Sequence, residues 1–164
     1  MEARDEPAYL SPDVFVPALQ ATDKWEAIHE ILGHFHGHPH VKNLENWEAD
    51  VAQREKLCPT VLRPGIALPH ARTRAVSQLA WALAVSPSGI PFDPDPSAPR
   101  ARLIILVGTP PSRVKPYLEF VSNLTRWFRS GTPALDQKLE QNPELATVLS
   151  ELRGAEHPAL SQAI

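Results

Sequence analysis

The segment GIALPHAR, residues 65–72, is the most informative part of the sequence. It is short and apolar, and Pro69 fixes its own φ while pushing Leu68 towards an extended conformation. We therefore predict a stiff, strand-like approach to His70, with Arg72 two residues further along the chain. A histidine held in this way beside a cation suits the handling of an anion. The alternative interpretation is a satisfied core or surface histidine without a specific role.

Several segments of the chain together resemble one bacterial protein family. Residues 65–72 closely resemble the active-site segment of the enzyme IIA domains of the phosphoenolpyruvate phosphotransferase system, in the fructose–mannitol class that includes the nitrogen-regulatory, PtsN-like IIA proteins. ATDKWEA at 21–27 is similar to the start of that family's first helix, and Arg54-Glu55 to its Arg-Glu pair. YLEFVSNL at 117–124 is similar to the helix that carries its second histidine. The likeness runs from about residue 10 to residue 153.

The resemblance implies roles for three side chains. In that family the histidine after the proline, here His70, is the phosphorylated residue. Arg54 would bind the phosphoryl group, because a guanidinium can donate to two of its oxygens at once. Tyr117 stands where the family pattern has a second histidine, and its hydroxyl can still donate a hydrogen bond.

A second set of candidates lies around the family's glycine-rich loop. The Ser-Thr-Gly-Ile-Gly stretch of the family corresponds here to CPTVLRP, residues 58–64, followed by Gly65. Thr60 and Gly65 survive from that pattern, and with Arg72 they are the predicted binding residues. The prolines of this loop have no N–H group to offer a phosphoryl oxygen. We interpret Cys58 as a packed small residue, since no acid–base partner lies near it in the sequence.

The resemblance implies a phosphotransferase that needs no cofactor. A histidine-containing phosphocarrier protein would donate a phosphoryl group to His70. A IIB component of sugar transport, or a regulatory target protein of a nitrogen-type branch, would then receive or read it. A second hypothesis is a IIA-like regulatory module that binds partner proteins without the chemistry, because the second histidine and most of the glycine-rich loop are missing.

Four histidines alternate along the chain at His34, His36, His38 and His40. In an extended chain they would share one face, and two or three imidazoles could meet a zinc or nickel ion. No cysteine or carboxylate completes a familiar ligand spacing. We therefore interpret the run as a solvated loop between helices and expect no bound metal, with a metal-binding protein as the third hypothesis.

Composition limits the classes of protein that the chain could be. Its 164 residues suit one domain, and its net charge of -3 gives no basic excess for binding nucleic acid. The longest apolar run, Leu79–Val85, is far shorter than the ~20 residues that span a bilayer, so we expect no membrane insertion. The first residues lack the apolar core of an export signal. A single cysteine excludes an internal disulfide and fits the cytoplasm.

The pattern of apolar residues predicts one α/β domain. We expect a mixed central β-sheet sandwiched between helices within residues 11–154, and flexible ends at 1–10 and 155–164. Strands are predicted at 14–16, 79–85 and 103–107, with a turn at 86–89. The third strand is apolar on both faces, which is typical of a central strand covered by helices on each side.

Caps and apolar stripes predict the helices. Asp23 and Asn43 are the candidate N-caps of the first two helices. Further helix starts are predicted at Pro116, Pro133 and Pro143. The core-facing residues predicted for the first three helices are Trp25, Ile28, Ile31, Leu32 and Phe35; Leu44, Trp47 and Val51; and Leu118, Val121, Leu124 and Phe128.

Overall fold

A computed structural model describes residues 12–129 of the chain. The elements, in chain order, are β1 (Val14–Val16), α1 (Lys24–Gly33), α2 (Leu44–Leu57), β2 (Val61–Arg63), β3 (Ile66–Ala67), β4 (His70–Arg72), β5 (Ala80–Ile90), β6 (Ala101–Thr109) and α3 (Val114–Arg129). The two predicted flexible ends and the helices predicted to start at Pro133 and Pro143 lie outside the described residues.

The strands form one mixed sheet, as predicted. Its order is β1-β5-β6-β3-β2, and β4 also pairs with β6. β5 and β6 are antiparallel, whereas β1 is parallel to β5 and lies at the edge. β3 and β4 both run parallel to β6. The central position predicted for residues 103–107 is therefore confirmed.

Residues 65–72 lie alongside the central strand. Ile66 is opposite Leu103 and His70 is opposite Val107, so the whole stretch follows β6 in the same direction. Gly65 opens it with a φ of 88°, a conformation that glycine adopts without steric cost. The predicted extended approach to His70 is thus confirmed, and pairing with β6 holds it in place.

Two predicted loops contain strand residues instead. The predicted loop at 58–64 includes β2, which pairs antiparallel with β3. Its two prolines flank β2 rather than interrupt it. The turn predicted at 86–89 lies inside β5, where the register with β6 shifts between Val85 and Ile90. Gly89, with a φ of 80°, absorbs this irregularity, and pairing with β6 resumes at Ile90. Both predictions were wrong because strand pairing overrode local turn signals.

Each face of the sheet has its own hydrophobic core. On one face Ile104 and Leu106 of β6 join the buried residues of α1 and α2. On the other face Leu103, Ile105 and Val107 join Phe120 and Leu124 of α3. Helices therefore cover both faces of β6, which explains why this strand has no polar face.

The predicted caps of α1 and α2 are confirmed. The Asp23 side chain accepts a hydrogen bond from the Glu26 amide, and the Asn43 side chain accepts one from the Asn46 amide. The buried stripe predicted for α1 is also confirmed, except that Trp25 is 40% exposed. The Trp25 ring instead lies 5.0 Å from the Lys24 ammonium group.

The core-facing stripe of α3 differs from the prediction. Leu118 is 57% exposed, whereas Phe120 is fully buried and its ring lies 5.0 Å from that of Trp81. The stripe therefore runs through Tyr117, Phe120, Val121 and Leu124. The Phe128 side chain lies outside the described part of the structure. Both stripes have helical spacing, and the contact between Phe120 and Trp81 of the sheet distinguishes them.

Within residues 12–129, none of the helices combines the length and the apolarity that crossing a lipid bilayer requires.

Gly108 provides a stability prediction, because the indole of Trp47 packs directly on it. A Cβ atom at position 108 would lie 2.6 Å from Cε2 of Trp47. Trp47 is fully buried and also contacts Phe35, so it has little room to move. We expect Gly108→Ala to lower the free energy of unfolding by about 1–3 kcal/mol, measured by urea denaturation.

Gly33→Ala is the matched control for Gly108→Ala. A Cβ at Gly33 meets nothing within 4 Å, and position 33 is the last residue of α1. Alanine there should therefore leave the urea midpoint unchanged or slightly higher. An unfolding curve for Gly108→Ala that overlays the parent curve would show that the strand and Trp47 separate easily.

Candidate functional site

A cleft of about 480 Å³ opens between α2, β4 and α3. It brings together four of the six residues predicted for the site, namely His70, Arg54, Arg72 and Tyr117. The remaining lining residues are Asp50, Gln53, Leu57 and Ala71. Side chains that are far apart in sequence thus converge where β4 runs beside the central strand.

The imidazole of His70 is fixed by its own strand. Its Nδ1 lies 2.8 Å from the backbone carbonyl oxygen of Leu68. A carbonyl oxygen can only accept, so Nδ1 carries the hydrogen and Nε2 carries the lone pair. The backbone of Leu68 is itself tied down, because its amide donates to the Thr60 carbonyl at 2.7 Å. In the neutral ring, Nε2 is therefore the nitrogen that has a lone pair available for a ligand or a reaction.

The surroundings of His70 favour its neutral form. Burial lowers the pKa of His70 below its ordinary value and is the strongest influence. The hydrogen bond to Leu68 and the charge of Glu55 raise this pKa, while the charge of Arg54 lowers it further. The net effect is a lowered pKa, so the imidazole is uncharged at neutral pH and Nε2 is free of a proton.

Tyr117 stacks on the histidine. The ring centroids of His70 and Tyr117 are 5.5 Å apart and the ring planes differ by 28°. Burial raises the pKa of Tyr117, although the charges of Arg54 and Arg72 oppose this rise. The phenol therefore stays protonated at neutral pH and keeps an O–H donor beside the imidazole.

Two arginines give the cleft its positive charge. Arg54 lies in the last turn of α2, and its Nη1 donates to the Cys58 carbonyl at 3.2 Å. A guanidinium has five N–H donors, so this bond leaves donors for an anion. Arg72 is exposed and lies two residues from His70 on β4, while Ala71 between them is buried in the core shared with α2. The alternation of the strand therefore places His70 and Arg72 on one side.

Thr60 and Gly65 do not line the cleft. Thr60 is buried, and both its amide and its hydroxyl donate to the carboxylate of Glu55. The carbonyl of Gly65 accepts the Arg102 amide at 2.9 Å at the far end of the stretch. The binding role that the resemblance implies for these two residues stays a prediction.

Two further predictions concern cysteine and histidine. Cys58 is exposed, so the prediction that it is packed was wrong; the residue follows the end of α2, which carries it away from the core. The histidine run is a series of turns rather than an extended chain, with the His38 amide donating to the Phe35 carbonyl. Between residues 12 and 129 no group of three or more metal-binding side chains converges. Whether the protein binds metal in solution stays a prediction.

Sequence reasoning missed part of the cleft. Asp50, Gln53 and Leu57 of α2 line it together with Arg54. These positions follow the three- and four-residue spacing of one helical face, which was the available signal. The burial of Glu55 and its hydrogen bonds were also missed, because a glutamate next to an arginine in sequence is usually a solvent-exposed residue.

Comparisons with known proteins identify the family and the fold of the chain. The family described as "Phosphoenolpyruvate-dependent sugar phosphotransferase system, EIIA 2" matches residues 8–148. The 2-O-alpha-mannosyl-D-glycerate-specific EIIABC component of the phosphotransferase system from Escherichia coli (strain K12) is 27% identical over 135 residues. That match covers 82% of this chain but only 20% of the relative.

Solved structures share the fold. The nitrogen regulatory protein IIA-Ntr from Neisseria meningitidis superimposes with a TM-score of 0.70 at 21% identity, covering 85% of this chain and 92% of that protein. Enzyme IIAMtl, in its complex with phosphorylated enzyme IIBMtl from Escherichia coli, gives a TM-score of 0.69 at 22% identity, with coverage of 85% and 94%.

Proposed function

Because the chain belongs to the EIIA 2 family of the phosphoenolpyruvate-dependent sugar phosphotransferase system, we propose that it carries a phosphoryl group on Nε2 of His70. The observation that supports this atom is the bond from Nδ1 to the Leu68 carbonyl, which leaves Nε2 with a lone pair in a cleft that contains two arginines. The family supports phosphoryl transfer in general; the residue and the atom are our proposal.

The proposed transfer is a substitution at phosphorus. The lone pair on Nε2 of His70 attacks the phosphorus atom of a phosphohistidine on the donor protein. A new N–P bond forms as the donor's N–P bond breaks, and that electron pair returns to the donor nitrogen. The hydrogen on Nδ1 stays in its bond to the Leu68 carbonyl, so His70 needs no separate base.

The arginines supply the charge that the transfer needs. The moving phosphoryl group spreads negative charge over its oxygens, and fixed cations stabilise that charge in a partly water-excluded site. Arg54 can donate to two of these oxygens. Arg72, being exposed at the opening, would attract the donor's phosphoryl group. Tyr117 would add one neutral hydrogen bond.

The rim of the cleft suits protein partners. Leu57 lines the cleft and is 80% exposed, and Leu118, next to Tyr117, is 57% exposed. Apolar side chains at a charged opening favour contact with another protein surface. We propose a histidine-containing phosphocarrier protein as the donor. The acceptor is a IIB component or a regulatory target, and we expect the exchange to occur in the cytoplasm without nucleic acid or membrane insertion.

An alternative function is a IIA-like module that regulates partners by contact alone. Tyr117 occupies the place of the second histidine, and Pro59 and Pro64 flank β2 in the segment where the family pattern has a glycine-rich stretch. These substitutions remove a titratable imidazole and possible backbone donors. Both functions use the same surface, so only a transfer assay separates them.

Reconstitution tests the proposed function. The full chain would be incubated with phosphoenolpyruvate, enzyme I and the phosphocarrier protein, and its intact mass measured. We expect a gain of one acid-labile phosphoryl group that peptide mapping places on His70. An unchanged mass, under conditions that phosphorylate an established IIA protein, would overturn the proposal and favour the contact module.

Tyr117 should affect the rate of phosphorylation. Tyr117→Phe removes a neutral hydrogen-bond donor worth about 0.5–1.5 kcal/mol, so the rate should fall by roughly 2- to 10-fold. Tyr117→His should raise the rate, because an imidazolium makes a bond to a phosphoryl oxygen that is roughly twice as strong. Rapid-quench measurement of phosphorylated His70 gives both rates. Equal rates for Tyr117→Phe and the parent would make Tyr117 a packing residue only.

A further inference from the structure

Glu55 is a buried carboxylate that the proposed transfer does not use. It is 2% exposed, and both of its oxygens are engaged. The Thr60 amide donates to Oε1 at 3.2 Å and Oε2 at 3.3 Å, and the Thr60 hydroxyl donates to Oε2. Lys24 provides the neighbouring cation, with Nζ 3.5 Å from Oε1. Burying a carboxylate costs free energy unless hydrogen bonds and a neighbouring cation compensate for the lost water. A glutamate buried in this way is therefore a candidate for a specific function.

A chain of hydrogen bonds leads from this carboxylate to the candidate nucleophile. The carbonyl oxygen of Thr60, whose amide and hydroxyl donate to Glu55, accepts a hydrogen bond from the Leu68 amide at 2.7 Å. The Leu68 carbonyl oxygen in turn accepts a hydrogen bond from Nδ1 of His70 at 2.8 Å. The groups that Glu55 fixes are therefore the ones that fix the imidazole.

Glu55 also lies next to Arg54 on α2. The position of α2 relative to residues 58–70 sets how far the guanidinium lies from the imidazole. Since the Glu55 carboxylate ties α2 directly to Thr60, one side chain controls both the orientation of His70 and its placement against Arg54.

We propose that Glu55 is a positioning residue for phosphoryl transfer, which holds His70 in its reactive orientation through Thr60 and Leu68. This inference rests on the proposed function. Glu55 is not a catalytic residue, because it is absent from the lining of the cleft. It acts through bonded neighbours, and such networks strengthen when each member is satisfied.

The charge of Glu55 predicts a change in the pH dependence of transfer, which a purely packing role of this residue would not produce. Burial lowers the pKa of His70 most strongly, and the Glu55 charge opposes that effect. Removing the charge should lower this pKa further, so the rise of the transfer rate with pH should move to lower pH. The other charged or titratable groups that face His70 stay in place; they are Asp50 and Arg54 on α2, Arg72 on β4 and Tyr117 on α3.

Glu55→Gln is the principal variant for the test. It keeps the shape of the side chain but leaves one acceptor oxygen for the donors of Thr60, and its NH₂ group cannot accept. A misplaced reacting group costs up to about 100-fold in rate, and we expect a loss on the order of tenfold in kcat with the KM for the donor protein unchanged. Thr60→Val should give a smaller loss of kcat, because the Thr60 amide still donates a hydrogen bond to Glu55. Its pH profile should match the parent's, because Glu55 keeps its charge.

Nitrogen chemical shifts of the His70 ring test the inference without any transfer reaction. In the unphosphorylated parent, NMR should show hydrogen on Nδ1 alone in the neutral form. In Glu55→Gln we expect a mixture of the two tautomers and a lower titration midpoint. If His70 is never phosphorylated, the proposed function fails while this measurement still decides the role of Glu55.

Glu30→Gln is the matched control. Its carboxylate also anchors backbone to a helix, accepting the amides of Gln20 and Ala21. It lies on α1, which contributes no residue to the cleft. This variant should leave kcat, the pH profile and the His70 shifts unchanged. If Glu55→Gln merely lowers the melting temperature, with those three properties as in the parent, Glu55 is structural and the inference is overturned. If Glu55→Gln fails to fold, Thr60→Val decides through kcat and the His70 shifts, and parent-like values of both would overturn the inference.

Discussion

Replacing His70 by alanine should reduce phosphoryl acceptance to below detection in the reconstituted cascade. The chain has 7 histidines, so the loss is informative only if the other imidazoles cannot substitute. His70 is the one among them that lines the described cleft, with both Arg54 and Arg72 beside it. An imidazole elsewhere would face the donor without these cations, and transfer depends on positioned charge. Intact mass spectrometry of the variant after incubation is the measurement.

His29→Ala is the control for this loss. The His29 side chain is 78% exposed and its Nδ1 lies 2.8 Å from the Glu48 carboxylate. It is thus an accessible imidazole outside the cleft, and its removal should leave the phosphorylation of the protein unchanged. Continued labelling of His70→Ala at the parent rate would show that the phosphoryl group is carried elsewhere and would remove the basis of the proposed function.

The second large effect concerns Arg54→Ala, which should slow phosphorylation by about 10²–10³-fold. The estimate follows from other enzymes, where removing one fixed donor to a developing negative charge has this effect. Arg54→Lys should recover part of the rate, because an ammonium keeps the charge but cannot donate to two oxygens in a fixed plane. Rapid-quench kinetics with saturating donor protein gives the comparison.

The same variant predicts a change in titration. The charge of Arg54 acts with burial to lower the pKa of His70, so removing the arginine should raise that pKa. Arg74→Ala is the control, since Arg74 is exposed and is absent from the lining of the cleft. A parent-like rate in Arg54→Ala, with the pKa of His70 raised, would mean that Arg54 tunes the imidazole but does not bind the phosphoryl group.

Much of the fold could be predicted from local patterns. The capping residues Asp23 and Asn43 and the apolar run at 103–107 are signals whose physical cause lies within a few residues. The errors share a different cause. The path of β5 through residues 86–89 depends on pairing with β6, and the burial of Phe120 depends on contact with Trp81. In both cases the local sequence was compatible with two structures, and contacts between residues far apart in the chain determined which one formed.

The candidate site shows the same division. His70 could be predicted as a site residue because its motif is local and specific. Arg54 and Tyr117 could be predicted as its neighbours only from the family resemblance. The burial of Glu55 could not be predicted, because it depends on where the fold places Thr60 and Lys24. The hydrogen bond between the His70 ring and the Leu68 carbonyl could not be predicted either, because an extended backbone before His70 does not show which carbonyl the ring will contact.

The anchored ring of His70 has a consequence for the order of events. Since Nδ1 is held by a carbonyl of the same strand, Nε2 points into a cleft with one set of lining residues. In the proposed transfer a donor and an acceptor would both have to reach this atom, and two proteins cannot occupy the same opening together. The proposed exchange would therefore consist of two successive encounters, with the phosphorylated carrier free in solution between them. An excess of either partner in its spent form would compete with the other, so abundance as well as affinity would set the flux.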